Sequence, residues 1–239
     1  SLEARIVGTM EILETKPELG DAMRLISAPL EHSLTITKSE FIAYLAPVNT
    51  VDDADRVIRE RRALHPHARH HCTALTLGTP VALQRSNDDG EPGGTAGMPM
   101  ANALRGRSMT NIMAVVTRYF GGVKLGAGGL TRAYGSAVTE ALDAAESRGL
   151  LMERTIREVS SLGVGYDITG PFEAQFRAWA DSHAVTVESA DYDAAGLALT
   201  LVHEPGLEGA IEAAAAEFSS GAVQPTRVGF AFVDVPLTR

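Results

Sequence analysis

Five glycines fall within nine positions of "RYFGGVKLGAGGLTRAYGSAV" (118–138), and the stretch then runs straight into a helical pattern. Glycine costs a helix or strand about 0.5–1 kcal/mol relative to alanine. The cluster therefore implies either a sharp turn with close backbone packing, or a backbone that something approaches. A strand, a glycine loop and a helix start leave free N–H groups at the positive end of the helix dipole, which suits a phosphate or a carboxylate. Flanking Arg118, Lys124 and Arg132 add positive charge. The candidate anion- or RNA-binding set is Arg118, Tyr119, Gly121, Gly122, Lys124, Gly126, Gly128, Gly129, Thr131 and Arg132. The stretch is not a Walker A loop, since it lacks the Lys-Ser/Thr ending. Thr131 also stands where a dinucleotide fingerprint needs its third glycine.

A second loop, "SNDDGEPGGTAG" (86–97), supplies Asp88, Asp89, Gly90, Glu91, Gly94 and Thr95. The three carboxylates are weak candidates for Mg²⁺ or Ca²⁺, but the spacing is not that of an EF-hand and Asp-Asp-Gly is ordinary turn chemistry. No metal site is assigned. The third stretch, "HPHARHHC" (65–72), holds four of the seven histidines and the single cysteine. Zinc sites normally show two separated pairs of ligands, and no second Cys/His pair exists. His65, His71 and Cys72 are candidate accessory residues, either partly buried side chains or, less simply, metal ligands. No Gly-x-Ser-x-Gly elbow, HExxH zincin or kinase signature occurs. No catalytic residue is assigned and no cofactor is expected.

These loops need elements to position them. "SLTITKSEFIAYLAPV" (33–48) alternates as a strand or bent hairpin. Thr50 and Asp53 open a helix with an apolar stripe at Ala54, Val57, Ile58 and Leu64. "CTALTLG" and "VALQRS" read as strands around a Gly78-Thr79-Pro80 turn, and "MPMANALRG" as a short helix. "NIMAVVTRYF" (111–120) is a continuous apolar strand, expected to be buried on both faces. From Leu130 to Ala145 apolar residues recur at three- and four-residue steps, the cleanest amphipathic helix in the chain. The C-terminal third reads βαββαβ, the order of a ferredoxin-like unit. The first 25 or so residues are weakly patterned and read as an extra strand or an arm.

The chain has 239 residues, 45% hydrophobic and 21% charged, with a net charge of −9. That composition is globular, and no apolar run approaches the ~20 residues of a membrane span. One cysteine allows no internal disulfide, and the N-terminus lacks the order of a signal peptide; a cytoplasmic protein without membrane attachment is expected. Net acidity argues against indiscriminate nucleic-acid binding. The acidity is uneven, however. Residues 151–239 carry 13 acidic and 5 basic side chains, whereas residues 51–150 carry 10 and 12.

Taken together, "HPHARHHCTA", "DDGEPGGTAGMPM" and "VVTRYFGGVKLGAGGLTRAYGSAV" resemble, in order and spacing, the signature of the YigZ/IMPACT family. "ITKSEFIAYLAPV" is similar to the family's Lys-Ser-x-Phe-Ile strand. The resemblance covers residues 30–145 strongly and the rest more weakly. Asn87 stands where the family often has Ser, and Glu40 where it often has a basic residue. The resemblance implies an α+β protein. Its N-terminal domain (26–152) would be like domain IV of elongation factor G and the GHMP kinases, preceded by an extension (1–25). A ferredoxin-like C-terminal domain (156–236) would be similar to domain V of the same factor. Eukaryotic members regulate translation by binding a partner protein in a stress-kinase pathway. The expected function is a translation-associated regulator that binds RNA, the ribosome or a translation factor, or a phosphate-like anion, through its glycine loops. The alternative is an enzyme acting on a phosphorylated or anionic small molecule, with Asp88, Asp89 or Glu91 holding a metal or acting as base. A third is a protein–protein adaptor whose glycines serve packing only.

Overall fold

The run at 112–119 is apolar on both faces because helices cover both faces of its sheet. In the computed structural model, which describes residues 4–7 and 10–237, five strands of one unit lie in the order β4-β5-β8-β6-β7. These are β4 (Leu30–Ile36), β5 (Ser39–Pro47), β6 (His70–Leu77), β7 (Leu83–Asn87) and β8 (Ile112–Tyr119), all paired antiparallel. Ile112, Ala114 and Val116 pack on one side with Tyr134, Leu142 and other residues of α2 (Gly97–Gly106) and α3 (Gly126–Ser147). The alternate Met113 and Val115 pack on the other side with Ala54 and Val57 of α1 (Val51–Leu64). Period-two alternation thus feeds two cores at once.

Local signals set the element ends. The Thr50 hydroxyl accepts from the Asp53 amide at 3.1 Å, the N-cap expected for α1. The 33–48 stretch is a hairpin turning at Thr37 and Lys38, both with positive φ. Phe41 meets Tyr134 edge-to-face at 5.2 Å, tying β5 to α3. This unit comprises Glu18–Arg154 with Asp234–Arg239. It also contains β3 (Arg24–Ile26), which pairs with the first residues of β9 (Leu151–Val164).

The other unit comprises Ser1–Pro17 and Thr155–Val233. After β9 come α4 (Thr169–Asp181), β10 (Val185–Tyr192), β11 (Leu197–His203), α5 (Glu208–Ser219) and β12 (Pro225–Pro236). The sheet order is β12-β9-β11-β10, extended beyond β12 by β2 (Met10–Leu13) and β1 (Ala4–Val7). Phe172, Phe176 and Ile211 of the two helices bury against Leu162, Leu199 and Leu201. Ile12 packs with Val159, Val202 and Ala231, so the weakly patterned N-terminal segment forms strands here. Residues 1–3, 8 and 9 of the expected extension lie outside the described residues. The described residues are α+β, with two sheets and five helices. No helix among the described residues is long and apolar enough to cross a membrane.

Candidate nucleic-acid interface

The glycines of the first loop divide by physical role. A Cβ on Gly121 would lie 2.0 Å from the carbonyl carbon and oxygen of Lys38, so only glycine lets the loop lie against the β4–β5 turn. The Gly121 amide donates to Ser39 Oγ at 3.2 Å. Gly122 and Gly126 have positive φ, and a Cβ on Gly129 would meet Leu125 Cβ at 2.9 Å. Those four are turn and packing residues. Gly128 is different: it is exposed, has no positive φ, and a Cβ there would meet only Arg132 Nη1, at an ordinary 3.7 Å. Nothing within the chain requires glycine at 128.

α3 opens with no side-chain cap at Leu125. Among the described residues no side chain accepts from the amides of Gly126, Ala127, Gly128 or Gly129, and the first three of these residues are exposed. Lys124 and Arg132 are exposed, and neither forms an ion pair among the described residues. The Arg132 guanidinium lies over Gly128. Amides at the positive end of a 22-residue helix therefore open onto a surface that Arg132 reaches, with the exposed Lys124 two residues before the helix. The Thr131 hydroxyl, by contrast, donates back to the Ala127 carbonyl at 3.0 Å.

The second loop shows the same architecture already filled. Asp88 reaches the start of α2, where its carboxylate accepts from the amides of Gly94 (2.8 Å), Ala96 (3.0 Å) and Gly97 (2.8 Å). Partial burial pushes this carboxyl up, but the three amides outweigh it and hold the group below the usual carboxylate range. The anion at this helix start is the chain's own. Asp89 accepts from the His71 amide at 2.7 Å and from Arg62 at 2.6 Å. Its carboxyl, raised by burial, is held low by those same donors. Gly90 turns the loop with positive φ, and Thr95 Oγ1 donates to the Pro92 carbonyl at 2.6 Å.

Glu91 is the link between the loops. Its buried Oε1 accepts from Arg118 and from the Tyr134 hydroxyl, each at 2.7 Å. Arg118 is therefore not the open flanking cation that the sequence suggests. It is buried, neutralised by Glu91, and 3.4 Å from Ser39 Oγ. The reason is register: Arg118 lies opposite Phe41 on β8, inside the sheet, not in the loop beyond it. With their oxygens directed at internal donors, Asp88, Asp89 and Glu91 form no group of metal-ligating side chains among the described residues.

In the histidine stretch His71 and Cys72 are buried, His65 and His70 are half-buried and His67 is exposed. His65 Nδ1 is 3.0 Å from the Tyr119 hydroxyl, and the buried His71 is 3.0 Å from Thr117 Oγ1. Burial, with Arg62 adding to it, holds the His71 imidazole below its ordinary value. The Cys72 thiol donates to the Asp88 carbonyl at 3.0 Å. Burial and the neighbouring carboxylates push it up to about 12, so it carries essentially no thiolate at neutral pH. Burial likewise pushes the Tyr134 hydroxyl far above its ordinary range. Two residues escape a sequence reading. Ser39 receives both Gly121 and Arg118, yet in "TKSEF" it is one hydroxyl among many. Phe120 ends an apolar run, but β8 stops at Tyr119 and leaves the ring 55% exposed.

Residues 37–142 match the Impact N-terminal domain. The chain belongs to the YigZ/IMPACT family. Family member YvyE of Bacillus subtilis is 42% identical over 147 residues, which is 62% of this chain and 66% of that one. Family member YigZ of Escherichia coli is 48% identical over 118 residues, 48% of this chain and 58% of its own. The chain thus spans less than two thirds of these curated relatives. A solved structure described as an hypothetical protein is 34% identical, with a TM-score of 0.57, covering 86% of this chain and 97% of that one. Both glycine loops, the Glu91–Arg118 pair and most of α3 fall inside the Impact N-terminal match.

Proposed function

We propose that this YigZ/IMPACT protein is a cytoplasmic, translation-associated regulator that grips RNA phosphates with the first turn of α3. One observation carries the proposal: the α3 start lacks the internal carboxylate that fills the α2 start, and instead presents exposed amides beside Lys124 and Arg132. Phosphate contacts of this kind, from backbone N–H groups, helix N-termini and basic side chains, position a protein on nucleic acid without reading its sequence. Family membership supports the translational setting. The sheet order β12-β9-β11-β10, with a helix after β9 and another after β11, supports a ferredoxin-like C-terminal domain. In this reading residues 26–152 form the elongation-factor-like N-terminal domain and bind the RNA.

The test is crosslinking of the full chain in a translating lysate, followed by sequencing of the attached RNA. A Lys124→Ala/Arg132→Ala variant is compared with wild type. Ribosomal RNA crosslinks that disappear in the variant are expected. Identical crosslink profiles would remove α3 from the function.

A further inference from the structure

Next to the glycine loop the Glu18–Arg154 unit carries a cleft of about 440 Å³, lined among others by His67, Arg69, His70, Arg118 and Phe120. That size lies in the range of small-molecule sites, about 300–1,000 Å³. We propose that it binds a single nucleotide, with the base stacked on Phe120 and the phosphate held by Arg69 and Arg118. The inference rests on the RNA-binding reading for the nucleotide's source, but on separate residues for its chemistry.

Three observations converge. The Phe120 ring is a large aromatic left 55% exposed. It is not loosely placed, because the Arg118 guanidinium lies 5.6 Å from its centroid and 5.4 Å from that of the core residue Phe41. A fixed ring with open surface is a stacking platform for any base. Arg118, 6% exposed, keeps a buried Nε with no hydrogen-bond partner, although its other nitrogens meet Glu91 and Ser39. Buried donors are nearly always paired, and a small turn of the Arg118 guanidinium toward the cleft it lines would give Nε an anion as its acceptor. Finally, Arg69 is exposed and forms no ion pair among the described residues. The His70 Nδ1–H donates to the Asp89 carbonyl at 2.9 Å, which leaves Nε2 as an acceptor for a base or sugar donor of the visitor. A flat π-system joined to a phosphate is the chemistry that uses the platform and the cations together.

The experiment is an NMR titration of the full chain with adenosine 5′-monophosphate, inorganic phosphate and a short single-stranded oligo(A), read at the Phe120 ring and the Arg69 and His70 amides. The expected result is saturable shifts with the mononucleotide. Phe120→Ala should weaken it about tenfold and leave inorganic phosphate unchanged, Phe120→Tyr should restore it, and Arg69→Ala should weaken both. An equal loss for oligo(A) in Phe120→Ala identifies RNA as the source. A loss for the mononucleotide alone identifies a free nucleotide in the same site. Unmoved signals, or unchanged mononucleotide affinity in Phe120→Ala, would overturn the proposal. The α3 reading fails separately: Lys124→Ala/Arg132→Ala then keeps its RNA whatever the cleft variants do.

Discussion

At the scale of single residues, the Glu91–Arg118 pair holds the two glycine loops in register. Both side chains are almost fully buried. Removing one partner of such a pair strands the other charge and costs about 3–5 kcal/mol, so Glu91→Ala is expected to lower stability by that amount in urea unfolding. Gly121→Ala forces a methyl into the Lys38 backbone and should cost about 3 kcal/mol by the same measurement. The aspartates set the acid limb. Asp88 and Asp89 are held below their ordinary values in the folded protein, so the unfolded chain binds protons first as pH falls. Their stabilisation is present above about pH 4 and lost as pH drops through the folded values. An Asp88→Asn variant should show a shallower loss of stability as the pH falls below about 4. His71, also held low, acts earlier: stability should begin to fall below about pH 6.5, where the unfolded imidazole takes up its proton. The sequence shows these residues as a motif but not their partners. Asp88, eight and nine positions before Ala96 and Gly97, looks like a metal ligand until the fold returns the chain to it.

At the scale of elements, two helix starts follow two glycine loops, and one is filled from within while the other is open. The helices and most strands are legible in the sequence, because period-two and period-3.6 apolar patterns survive wherever a face is buried. Thr50, the β8 run and the α3 stripe all lie where their patterns place them. β9 is longer than its alternation suggests. Its residues 152–157 are half-buried, charged or polar in all but two positions, and so carry no clear period. Strand β2 is equally obscure, since its partner β12 is more than 200 residues away, and β1 is added to the sheet only through β2. Gly128, the glycine assigned to binding in the proposed reading, is the least legible of all, because sequence cannot separate it from the four that the backbone needs. Gly128→Ala should raise helix stability by about 0.5 kcal/mol in thermal unfolding, yet weaken RNA binding by placing a methyl on the contact surface. A gain in stability with unchanged binding would make Gly128 a residue without function.

At the scale of the whole molecule, residues 151–239 are strongly acidic, so in the proposed reading RNA binding comes from a few well-placed cations. With Lys124 and Arg132 as about two phosphate contacts, the affinity for single-stranded RNA should fall with log salt at a slope of about −1.4, and the double variant should flatten it towards zero. A much steeper slope would point to an extended basic face that the charge distribution does not contain. In the proposed reading the free amides at the start of α3 hold the phosphate. That reading is tested most directly by following backbone amide resonances of the full chain during titration with a short RNA. Gly126, Ala127 and Gly128 are predicted to move downfield saturably, while the Gly94, Ala96 and Gly97 amides already occupied by Asp88 stay in place. If the α3 amides remain unmoved as RNA binds, the account is contradicted.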